Sequence, residues 1–188
     1  MNITAAMVKE LREITGSGMM DCKKALAETD GDMEAAVEFL RKNGQMKAEK
    51  KASRIAAEGL VCVACEGDTK AAIVEVNSET DFVAKNATFQ EYVQAVAQQA
   101  VNSDAADLDA FLAEKWIQDE SKTVSEALVE KIAVIGEKLS IRRFQKEEQA
   151  DGCIVSYIHG GGRIGVLVKA QTAVVNDAVK EALKNVAM

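Results

Sequence analysis

The sequence predicts an α+β protein, with a bundle of short helices at the N-terminus followed by an antiparallel sheet with helices packed on it. Three observations predict this. Apolar residues over roughly the first 44 positions recur at helical spacing between turn residues. From Gly59 onward the pattern changes to alternating runs rich in β-branched residues. One such pair of runs recurs later at an offset of 93 residues, from Gly59 to Gly152.

The elements follow in order. Thr4 is placed to cap a first helix, with Val8, Leu11 and Ile14 on one stripe and Gly16 as its stop. A second helix, over about 19–28, buries Cys22, Ala25 and Leu26. Asp32 caps a third, with Ala36, Val37, Phe39 and Leu40 inward and Gly44 ending it. Residues 1–44 are therefore expected to form a three-helix bundle, and 45–57 a charged linker. Residues 60–65 and 71–76 read as strands joined at Glu66-Gly67-Asp68. Helical patterns occupy 89–101, about 107–116, and 124–135. The last opens on Thr123-Val124-Ser125-Glu126, a capping box in which each end's side chain satisfies the other's free amide. Gly136 ends it, and 139–144 is a closing strand, which makes 58–148 a first core subdomain.

The repeat defines the rest. At the same offset Gly67 matches Gly160, Lys70 matches Arg163, Ile73 matches Val166 and Val74 matches Leu167. Each hairpin leads into a helix, at 89–101 in the first copy and about 173–186 in the second. Residues 149–188 hold no counterpart to the closing strand, so they read as part of a second core subdomain. Two strands and a helix bury little by themselves. Apolar surface on Ile154, Ile164, Val166 or Val168 is expected to stay exposed or to be covered by a second copy through self-association.

Composition narrows the function classes. A hydrophobic fraction of 48% and a charged fraction of 28% are ordinary for a soluble protein, and no apolar run approaches a membrane span. The start reads as a helix, not a signal peptide, so a cytoplasmic protein with no membrane partner is expected. A net charge of −7 argues against direct nucleic-acid binding, which needs a basic footprint. Residues 1–56 carry ten Lys/Arg and nine Asp/Glu, and the remainder 13 and 21. Arg41, Lys42, Lys47, Lys50, Lys51 and Arg54 cluster at the join and read as a solvated helix end and linker.

Candidate chemistry is sparse. Cys62 and Cys65 have metal and redox spacing, but on a strand residues three apart point to opposite faces. His159-Gly160-Gly161-Gly162 lacks the lysine and helix of a phosphate loop and reads as a hairpin turn. One histidine leaves little acid–base capacity near neutral pH. No catalytic residue, metal ligand or cofactor is assigned, and the chain reads as something other than an enzyme.

The connector over 77–86 is the most informative stretch. Asn77, Ser78 and Asn86 supply turn and cap chemistry, but a polar connector has no need of Phe82. Such a ring is either folded back as a plug or offered to a partner. Burial statistics favour the plug. The repeat favours the partner, because the second copy has only a short gap, near 170–172, between strand and helix.

Four motifs stand in order along the chain. They are Leu11-Arg12 with Thr15-Gly16-Ser17-Gly18-Met19-Met20-Asp21-Cys22-Lys23-Lys24, Thr80-Asp81-Phe82-Val83-Ala84-Lys85, Ile135-Gly136-Glu137 running to Ile141-Arg142-Arg143, and His159-Gly160-Gly161-Gly162-Arg163-Ile164-Gly165. Together they resemble the bacterial elongation factor Ts family, guanine-nucleotide exchange factors for the translational GTPase elongation factor Tu. The resemblance implies that Thr80, Asp81, Phe82 and Val83 form a loop that disturbs the GTPase's magnesium site. It also implies partner contacts at Arg12, Met19, Met20, Lys51, Ile135, Gly136 and His159. Lys138 stands where many relatives have asparagine. Full-length relatives continue past this point with a coiled-coil excursion and the rest of the second subdomain, so the chain is expected to lack that C-terminal part. The Gly-Met-Met loop, with the Gly-Asp and Ala-Val-Glu that follow, also resembles ubiquitin-associated domains. The alternative reading is accordingly a non-catalytic interaction module.

Overall fold

The computed structural model describes residues 3–188. The chain divides into two compact units. One takes the chain through Arg54 together with Leu128–Lys138, and the other takes Ile55–Ala127 and Leu139–Met188.

In the first unit, α1 (Ala5–Thr15) is capped by the Thr4 hydroxyl, which accepts from the Met7 amide. It closes at Gly16, whose left-handed φ of 66° suits a residue without Cβ. After α2 (Met19–Glu28), α3 (Met33–Lys51) starts where the Asp32 carboxylate accepts from the Ala35 amide. Leu11, Cys22, Ala25, Leu26 and Ala36 form the buried centre, ringed by Val37, Phe39 and Leu40.

Two expectations need correction here. Ile14 is 59% exposed. The inward stripe continues through Thr15, whose hydroxyl donates to Leu11 O, because a 3.6-residue period leads from 8 and 11 to 15. Gly44 does not stop α3, which runs on to Lys51 through the first half of the expected linker. A Cβ added there would lie 3.3 Å from the Ala133 Cβ, so Gly44 is a packing glycine within the helix. The Lys138 ammonium donates to Ala52 O (2.6 Å) and Arg54 O (2.8 Å), which satisfies carbonyls just past the helix end.

The second unit contains β1 (Glu58–Glu66), β2 (Lys70–Ser78), α4 (Asp81–Ala84), α5 (Ala87–Asn102), α6 (Leu108–Ala113), β3 (Lys115–Trp116) and β4 (Asp119–Thr123). Next comes α7 (Val124–Ile135), whose later residues belong to the first unit. The chain then returns for β5 (Ser140–Glu148), β6 (Gly152–His159), β7 (Ile164–Gln171) and α8 (Asp177–Ala187). Helices with wholly antiparallel sheets make this an α+β fold, as expected.

The main sheet has the order β1-β2-β5. Ala72, Val74 and Val76 on the central strand are buried, and α5 packs on β1 and β2 with Phe89, Val93, Val96 and Ala100 buried. Val61, Val63 and Ile73 share the other face by register. There Gly165 of β7 lies so close that an added Cβ would sit 2.4 Å from Val61 Cγ1. The β6–β7 hairpin therefore covers that face. This corrects the expectation that these side chains stay uncovered: Ile154 is buried and Val166 and Val168 are half-buried within the chain, while Ile164 is exposed.

Several boundaries differ from the sequence expectation. The β3–β4 hairpin was unsigned, because Asp119–Thr123 is polar and its two-residue turn has neither Gly nor Asn. β5 extends to Glu148 through charged residues that suit an edge strand. α8 starts at Asp177 because the Asn176 side chain caps it, accepting from the Val179 amide. The gap before α8 is therefore 172–176, longer than the repeat suggested. None of the described helices is long and apolar enough to cross a membrane.

The capping box at α7 forms as read. The Thr123 amide donates to Glu126 Oε2 (2.8 Å), and the Glu126 amide donates to Thr123 Oγ1 (3.2 Å). Thr123→Ala removes one half and is expected to lower stability by about 1 kcal/mol. A thermal melt should show this as a midpoint about 2–4 °C lower.

Candidate functional site

In the second unit the connector after β2 is a built turn. The Ser78 hydroxyl is buried and donates to Thr80 O (3.0 Å). Thr80 is extended, with φ −124°, and its Oγ1 accepts from the Val83 amide as the cap of α4. Ala84 is buried and Val83 half-buried, which pins the turn to β1 and β2. The Asn86 side chain then caps α5 by accepting from the Thr88 amide. Phe82 stands outward from this frame, 81% exposed. The plug reading is thus overturned: the ring contributes nothing to the core, and hydrogen bonds on either side hold its backbone.

Next to Phe82, the Asp81 carboxylate accepts from the Lys85 ammonium at 2.6 Å. That hydrogen bond and charge hold the Asp81 carboxyl below its usual range, and the more distant Arg163 guanidinium adds to the effect. Arg163 belongs to the turn between β6 and β7, where Gly160, Gly161 and Gly162 all have positive φ (60°, 67° and 95°). Gly162 O accepts from the Val61 amide (2.7 Å). Arg163 Nη2 lies 3.7 Å from Glu58 Oε2, and Glu58 pairs in register with Ser78, which holds the Thr80 turn. His159, at the start of the same turn, is exposed with its Nδ1 2.8 Å from the Tyr157 hydroxyl. Thr80–Val83 and His159 thus lie at the same end of the sheet unit, a juxtaposition that Arg163 gave no sequence sign of making.

In the first unit Arg12 is exposed on α1, and Met19 and Met20 are 60% and 75% exposed at the start of α2. A Cβ on Gly16, between them, would lie 3.8 Å from Val134 Cγ2, so the end of α7 borders this corner. Ile135 is half-buried, and Gly136 ends α7 with φ 86°. Lys51 is half-buried as the last residue of α3, directly before the carbonyl held by Lys138. Ile14 is exposed in the same region, and its helical spacing disguised it as core.

Cys62 and Cys65 are free and pair in register with Val74 and Ala71. Burial raises the Cys62 thiol above its ordinary value, which disfavours the reactive thiolate. Among the described residues no group of three His, Cys, Asp or Glu is placed to hold a metal ion.

The fold and the turn define an α+β protein that presents a capped, outward aromatic side chain. The family model described as elongation factor TS matches residues 79–188. Elongation factor Ts of Clostridium novyi (strain NT) is 54% identical over 187 residues, which is 99% of this chain and 61% of the relative. That of Clostridium tetani (strain Massachusetts / E88) is 56% identical over 170 residues, 90% of this chain and 56% of the relative. That of Trichlorobacter lovleyi is 50% identical over 193 residues, 100% of this chain and 62% of the relative. The chain belongs to the elongation factor Ts family. It spans about 61% of the length of the curated relatives it matches.

Proposed function

We propose that the chain is a guanine-nucleotide exchange factor of translation elongation, acting in the cytoplasm on elongation factor Tu bound to GDP. The observation that carries the reading is Phe82, exposed on a turn capped on both sides. In this reading Asp81 and Phe82, flanked by Thr80 and Val83, enter the GTPase beside its magnesium site. Disturbing that metal removes charge that neutralises the GDP phosphates, and GDP leaves faster. The chain makes no covalent bond with its partner and is not an enzyme. His159 adds a contact from the second hairpin. Arg12, Met19, Met20, Lys51, Ile135 and Gly136 supply a second set from the helical unit, with no direct nucleic-acid contact.

We read the helical unit as ubiquitin-associated-like, and the two hairpins as copies of one unit. Support for the copies comes from Gly59 and Gly152. An added Cβ on Gly59 would meet Val76 O and Asn77 Cα, and one on Gly152 would meet Ala170 O and Gln171 Cα, the same two positions relative to each pairing partner. Exposed Ile164 and the exposed Val174 and Val186 flanking and within α8 offer a surface for self-association.

Linkage supplies the test. A factor that weakens GDP binding must itself bind empty GTPase more tightly than the GDP form by the same ratio. Titrating the chain into nucleotide-free and GDP-loaded elongation factor Tu should give clearly different affinities. Equal affinities would remove the exchange reading and leave a plain interaction module.

A further inference from the structure

We propose that Lys85 is a positioning residue of the Asp81–Phe82 turn, its ammonium orienting the Asp81 carboxylate beside the exposed ring. This rests on the exchange-factor reading and adds a residue to it. The geometry is direct. Lys85 is the C-cap of α4, its amide bonded to Asp81 O at 3.2 Å, and its Nζ reaches Asp81 Oδ2 at 2.6 Å. One helical turn is thus closed at both backbone and side chain around Phe82.

The Lys85 side chain is 72% exposed, so nothing in the core calls for it. The contact that the side chain makes is with the Asp81 carboxylate, and that contact is what carries the proposed role. The wider surroundings leave Lys85 as the near partner. Arg163 acts from the β6–β7 turn but leans on Glu58 of β1, and Glu75 of β2 is engaged by Arg143. Glu79 lies two residues upstream, and Glu91 is exposed on α5, which packs on α4.

The sign of the pH effect follows. Lys85 keeps Asp81 ionised to lower pH. Removing the ammonium moves the Asp81 titration upward toward its ordinary range, while near neutral pH the carboxylate stays ionised in both forms, so the effect on release comes through its orientation. Restoring a cation as arginine moves the titration back and holds the carboxylate in place again.

The experiment compares wild type, Lys85→Met and Lys85→Arg as full chains. One arm follows the Asp81 side-chain carboxyl carbon by NMR through an acid titration of the chain alone. The other follows release of fluorescent GDP from elongation factor Tu against pH and chain concentration. In Lys85→Met the Asp81 titration should rise, and the maximal release rate should fall about two- to fivefold, the scale of an exposed ion pair. The half-saturating concentration should change little, and Lys85→Arg should restore both readouts. An Asp81 titration unmoved in Lys85→Met overturns the proposal at its chemistry. A moved titration with unaltered release overturns the functional role of Lys85 alone. A wild-type chain that releases no GDP overturns the exchange reading itself, and the role of Lys85 with it.

Discussion

Gly152→Val is expected to damage the fold severely. A Cβ at this position would stand 1.9 Å from Ala170 O and 2.9 Å from Ala170 C. Those are backbone atoms of the paired strand, so no rotamer relieves the clash, and β6 must separate from β7 at its first pair. Buried Cys153 and Ile154 follow immediately and would be drawn out of place. The expected loss is about 3 kcal/mol, at the upper end for overpacking. On a chain of this size that is a fall of about 6–12 °C in melting midpoint. Gly67→Ala is the contrast. Gly67 has φ 63° but nothing within 4 Å of an added Cβ, so it carries only the left-handed cost of about 1 kcal/mol. Equal melts for the two variants would show that close strand approach is not what Gly152 provides.

The second large effect falls on activity and spares the fold. Phe82→Ala is expected to leave the melting midpoint in place, because a ring 81% exposed buries almost nothing. Surface changes of this kind usually stay within about 0.5 kcal/mol. Exchange should nevertheless fall by about tenfold or more, the scale seen when a central aromatic anchor is truncated. Only contacts made in the GDP-weakened state drive release, so the loss should appear in the maximal rate. Asp81→Ala should act in the same direction. A Phe82→Ala chain that melts normally and exchanges at the wild-type rate would remove the turn from the mechanism.

These two positions illustrate what the sequence could and could not express. Helix starts were legible at several side-chain caps, though not at Thr80 of α4 or Asn176 of α8. Thr4, Asp32, Asn86 and the Thr123–Glu126 box all do what their residue types promise. Helix ends were less legible. Gly16 and Gly136 stop their helices, but Gly44 sits inside one, because the choice between cap and close packing is made by Ala133, nearly ninety residues away. The outward set of Phe82 was ambiguous for a related reason. Its own residue type argues for burial, and only the hydrogen bonds of Ser78 and Thr80 fix which way the turn faces. The place of Arg163 near both Glu58 and Asp81 depends on the second hairpin lying across the first sheet, which no local pattern encodes. The β3–β4 hairpin was missed because cross-strand pairing, not propensity, holds its polar strands.

The activity proposed for this chain is acceleration of GDP loss from elongation factor Tu. Stopped-flow release of a fluorescent GDP, with magnesium present and excess unlabelled GDP as the trap, tests it most directly. The release rate is expected to climb with the concentration of the wild-type chain and to saturate as the complex fills. A release rate that stays at its spontaneous value at every concentration of the chain would contradict it.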